Sequence, residues 1–153
     1  MYEPIRSKSV HTTMAGATSD FPHRSREEEL DIQLAGHLAA LLAVTDELRT
    51  LAPEAGLDAA AERLAAQVSR LRGGHAPVRT SVAAVAEPLT LHRRAHALAG
   101  RALVVAASRA DTAAAILAAE RMDAHAAAQA APRANPPGRE ARGNAQKLSG
   151  AAQ

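Results

Sequence analysis

Residues 90–130 read TLHRRAHALAGRALVVAASRADTAAAILAAERMDAHAAAQA, with Gly100 the one helix-weakening residue and Pro132 just beyond. Plotted at about 100° per residue, Leu91, Ala95, Leu98, Ala102, Val105, Ala106, Ala113 and Ile116 fall on one face. Leu103, Ala110 and Leu117 widen it on one side. A helix with so broad an apolar face has to be covered by other helices. The chain is therefore expected to be all-α, an antiparallel helical bundle of three to five helices between disordered N- and C-terminal tails.

The segments before that stretch are the expected cover. Residues 1–24 hold Pro4, Gly16, Pro22 and scattered Ser and Thr without a period, and read as a disordered arm. Met14 is an alternative start. Ser25 and Glu28 fit a capping box, and Glu27, Glu28 and Glu29 place negative charge at the positive end of a helix dipole. Leu30, Leu34, Leu38, Leu41, Leu42 and Leu48 then mark a leucine face, so a helix is predicted from Arg26 to Leu51, ending before Pro53. After a Pro-Glu-Ala-Gly loop, a second helix is predicted to begin at Asp58 or the residue before it. Leu57, Ala61, Leu64, Val68 and Leu71 repeat there at alternating spacings of four and three, and Gly73-Gly74 ends it. Val78, Val82 and Val85 suggest a short third helix over 78–86. Residues 132–153 have no apolar period, and Arg133, Arg139, Arg142 and Lys147 outweigh Glu140, which reads as a disordered basic tail. The domain scheme is thus a 1–24 arm, a 25–131 bundle and a 132–153 tail.

The long helix is the odd one in this scheme. About forty residues at about 1.5 Å each span about 60 Å, against about 39 Å for the first helix. Either it overhangs its cover or it breaks, with Gly100 and Asp111 as candidate break points; Asp111 would cap a new helix at Thr112. Arg109 and Glu120 fall within the apolar face, where a charge has to be paired, overhanging or at a break. An overhang would bare Ile116 and Leu117 to a second copy, so a homodimer through the long helix is expected.

Composition narrows the function classes. Apolar residues make up 47% of the chain, but alanine supplies much of that, and there is one Tyr, one Phe and no Trp. Such a core gains little area per side chain, which also favours self-association. There is no cysteine, which excludes disulfides and thiolate sites and suits a cytoplasmic setting. No secretory h-region opens the chain and no run of about 18 apolar residues is present, so neither export nor membrane insertion is expected. The net charge is only +2.

The motifs that carry chemistry are few. His92 and His96 stand one turn apart and suit half of a metal site, with His37, His75 and Glu87 as possible further ligands. Arg93 and Arg94 lie between them and oppose a cation. His37 and Thr45 interrupt the first leucine face, as a polar core layer or a small pocket would. Arg93, Arg94 and Arg101 are candidate phosphate contacts for nucleic acid, although no base-reading module accompanies them. Asp46-Glu47-Leu48-Arg49-Thr50 resembles the phospho-acceptor box of histidine kinases, but Asp46 stands where that box has its histidine, so no role is carried over. No catalytic motif, nucleotide loop or cofactor signature is present. The expected function is a non-catalytic helical interaction or scaffold protein. The alternatives are a nucleic-acid-associated accessory protein and a His-based metal or small-ligand binder.

Overall fold

A computed structural model describes residues 24–79 and 85–133. Those residues form four helices, α1 (Arg26–Leu51), α2 (Ala55–Leu71), α3 (Pro88–Arg109) and α4 (Thr112–Ala130). The expected arms, apart from Arg24, Pro132 and Arg133, lie outside the described residues, as does Val82.

The start of α1 is fixed as its sequence predicts. Ser25 Oγ accepts from the Glu28 amide at 3.1 Å, and Glu28 accepts in return from the Ser25 amide at 3.2 Å. The second helix begins earlier than predicted, at Ala55, so only Ala52–Glu54 connect it to α1. It ends as predicted: Gly73 and Gly74 take positive φ, and the Gly74 amide donates back to the Ser69 carbonyl at 2.8 Å.

The long helix is not continuous. It breaks at Ala110, which adopts the left-handed conformation (φ 58°), while the Asp111 amide donates to the Ala106 carbonyl at 2.9 Å. Asp111 then caps α4 by accepting from the Ala114 amide at 3.1 Å. The chain reverses there, and α4 lies back along α3. The overhang inferred from helix length is thereby removed, and Leu117 is buried rather than bare. The expected helix over 78–86 is not formed in its described parts: Val78 and Val85 lie outside any helix and are 91% and 99% exposed.

Ion pairs set the helix order around the bundle. Arg109, ending α3, bonds Asp31 near the start of α1 at 2.9 Å. Along α4, Asp111 meets Arg70 and Glu120 meets Arg63 of α2, each at 2.6 Å. All four neighbouring pairs, α1–α2, α1–α3, α3–α4 and α2–α4, are therefore antiparallel. Two hairpins stand side by side, with the end of α2 at one end of the bundle and the start of α3 at the other. Arg79, between α2 and α3 in sequence, makes two bonds of 2.6 Å to Asp46 of α1.

The core is asymmetric. α1 and α2 contribute Leu34, Leu38, Leu41 and Leu64, all fully buried, whereas α3 contributes one such leucine, Leu91, and otherwise Ala95, Ala99, Ala102 and Ala106. Each buried leucine stabilises by roughly 1.5–3 kcal/mol relative to exposure. The alanines add less area but let α3 approach both neighbours closely. Thr45, also fully buried, donates its hydroxyl to the Leu41 carbonyl at 2.8 Å and so costs no unpaired polar group. Among the described residues, no helix is long and apolar enough to cross a membrane.

Candidate functional site

The antiparallel α3–α4 hairpin brings the first turns of α3 against the last turns of α4. There His92 Nδ1 stands 3.0 Å from His125 Nδ1, with the rings tilted at 47°. Two nitrogens at that distance share one proton, so one imidazole donates and the other accepts. Gln129 closes the end of the hairpin by donating to the His125 carbonyl at 3.1 Å and the His92 carbonyl at 3.5 Å.

His125 is only 1% exposed. Burial first, then the nearby Arg121, His92 and His96, lowers its pKa from 6.5 to about 4. Burial also lowers that of His92, with Glu54 opposing and Arg121 adding. The pair is therefore uncharged at neutral pH. Arg121 lies one turn before His125 on α4 and is half-buried. Its Nε and the Nε2 of His125 are both buried without a hydrogen-bond partner among the described residues. The carboxylate next to it in sequence, Glu120, is taken by Arg63.

The predicted metal pair is thus rearranged. His92 bonds His125 across the hairpin rather than joining His96 along the helix. Of the suggested further ligands, His37 lies between α1 and α3, and His75 follows α2 at the opposite end, where its Nδ1 is 2.8 Å from the Arg72 carbonyl. Glu87 alone shares a cleft with His92. No three His, Cys, Asp or Glu residues gather to hold a metal among the described residues.

His125 is the candidate-site residue that the helical wheel missed. On α4 taken by itself, Ala114, Ala118, Arg121 and His125 form one stripe at spacings of four, three and four, buried at all but the half-buried Arg121. A wheel drawn through an unbroken helix hides it.

The three candidate phosphate arginines do not form one patch. Arg93 lines a cleft of about 860 Å³ with His92, Gln129 and Arg133. Arg101 borders a groove of about 400 Å³ between α1 and α3, with His37, Ala97, Gly100 and Val104. Arg94 lies seven residues before Arg101 and so shares its side of α3.

Val104 of α3, which borders that groove, and Ile32, elsewhere on the bundle in α1, are exposed apolar side chains, at 67% and 49%. Gly36 lies one turn after Ile32, and a Cβ built on it would meet nothing within 4 Å. The chain matches no known family model, and neither a curated protein nor a solved structure matches it.

Proposed function

We propose that this chain is a non-catalytic helical interaction protein that self-associates through the outer face of α1 and α3. The observation that carries the reading is Gly36, mid-helix on α1 and facing open space, on a bundle that also leaves Val104 of α3 exposed. A helix-interior glycine costs roughly 0.5–1 kcal/mol relative to alanine. Nothing in the chain's own packing requires it, whereas close approach of a second helix does.

Charge favours a second copy as the occupant. Glu27, Glu28 and Glu29 are exposed at the start of α1, and Arg93 and Arg94 at the start of α3. Because α1 and α3 are antiparallel, these groups mark opposite ends of the bundle. A two-fold axis across the bundle sets the acidic end of one copy over the basic end of the other. A chain without cysteine suits the reducing cytoplasm, where we propose it works.

Light scattering tests this directly. The wild type is expected at twice the chain mass, with a salt-sensitive dimer. Gly36→Glu and Val104→Glu, both at exposed positions, are expected to run as monomers with unchanged helical circular dichroism. A wild type that remains monomeric at the highest soluble concentration overturns the reading.

A further inference from the structure

We propose that Arg121 and His125 of α4, with His92 behind them on α3, form a binding site for a small oxyanion, the carboxylate or phosphate group of a small molecule. The site rests on two buried nitrogens that the described residues leave without partners, Arg121 Nε and His125 Nε2. A guanidinium keeps its proton in proteins, so Arg121 Nε is a donor. It is also a half-buried charge with no ion pair among the described residues. Burial costs such a group part of its hydration, which a ligand of opposite charge offsets.

The histidine pair can supply the second donor. If His92 Nδ1 donates to His125 Nδ1, the proton of neutral His125 sits on Nε2, and the orphaned atom becomes an N–H. Arg121 and His125 lie one helical turn apart on the same stripe of α4. In that tautomer the stripe presents two N–H groups and no acceptor. An oxyanion satisfies both, while a metal cation would face Arg121. Water satisfies the donors but not the charge.

The nearest described cleft borders His92 but neither Arg121 nor His125, and its charges also favour an anion. The cleft beside His92 carries Arg93 and Arg133 against Glu87. Glu54, at the start of α2, acts electrostatically on both His92 and Arg121 but bonds neither, and it opposes binding. The site lies on the α3–α4 hairpin and does not depend on self-association.

Thermal unfolding and calorimetry with inorganic phosphate and, separately, acetate provide the test, against sodium chloride at equal ionic strength. Phosphate or acetate is expected to raise the wild-type Tm by several degrees, and whichever acts more strongly identifies the class. Arg121→Met is expected to fold at least as stably without anion and to bind about tenfold or more weakly. The ¹⁵N spectrum of His125 is expected to show a protonated Nε2 that shifts on titration. The proposal is overturned by a wild type that responds no more than to chloride. It is equally overturned by an Arg121→Met chain that responds as the wild type does, or that is less stable without anion. Val104→Glu is expected to retain the response, which separates failure of this site from failure of the self-association reading.

Discussion

Arg70, in the last turn of α2, donates to Asp111 at 2.6 Å, and Asp111 is also the residue whose side chain caps α4. One carboxylate therefore closes the break in the α3–α4 hairpin and ties that hairpin to the other. Burial pushes the Asp111 carboxyl up, but the bonds from Arg70 and the Ala114 amide outweigh it, and the net pKa lies below the usual value. Asp111→Ala removes cap and pair together and is expected to cost about 1–2 kcal/mol. Asp111→Asn keeps an oxygen for the cap and loses only the charge, so its cost should be smaller. Urea denaturation of the two variants separates the contributions.

Ala110 is held at φ 58°, where an L side chain is disfavoured by roughly 1–2 kcal/mol. Ala110→Gly is expected to stabilise the protein by up to about 1 kcal/mol, less what the glycine's freedom adds to the unfolded chain. Ala110→Val is expected to destabilise it. If the glycine variant is the less stable in chemical denaturation, the left-handed turn is not where the helix breaks.

The buried histidine pair makes stability depend on pH. An imidazole whose pKa falls on folding, from 6.5 to about 4 for His125, takes its proton more readily in the unfolded chain. The contribution of the neutral form is complete above about pH 6.5 and is lost as the pH falls through the window toward 4. One group shifted this far is linked to about 3 kcal/mol. Denaturation midpoints should fall across that window in the wild type and vary less in His125→Leu.

The alanine face of α3 has no room for larger side chains. Ala102 is fully buried, and Ala102→Leu is expected to cost roughly 1–3 kcal/mol by overpacking. Leu38→Ala, on the leucine side of the same core, should cost about 2–5 kcal/mol by leaving a cavity. Circular-dichroism melts of the two variants test whether the core is filled from both directions.

What the sequence made legible follows from how each signal arises. The limits of α1 were readable because its capping box and leucine period are local and agree with each other. The break at Ala110 was half readable. Asp111 before Thr112 is a recognisable cap, but alanine favours the helix on both sides, and no glycine marks the left-handed residue. That error spread to the site. His92 was paired with His96 along one helix because His125 becomes a neighbour only after the chain reverses. Arg109 and Glu120 were informative for the opposite reason. Charges on an apolar face conflicted with an unbroken helix, and the structure resolves the conflict by ending α3 at Arg109 and turning Glu120 toward Arg63. Val78 and Val85 misled because three valines at helical spacing fit a helix face, whereas in the connection it is Arg79, bonded to Asp46, that makes the contact.

The pairing of α1 with α2 and of α3 with α4 as two hairpins has a consequence for how the molecule assembles. Each hairpin is joined by only a few residues, so its contacts are near in sequence and can form early, while α1 packs as extensively on α3 as on α2. What remains is the docking of the two hairpins along α1 and α3, whose covalent link fixes their local concentration more than their geometry. Hydrogen exchange should accordingly show two cooperative units rather than one. A chain divided within the link retains every helix and every ion pair between helices, so the halves have the complementary surfaces needed to reassociate as separate molecules.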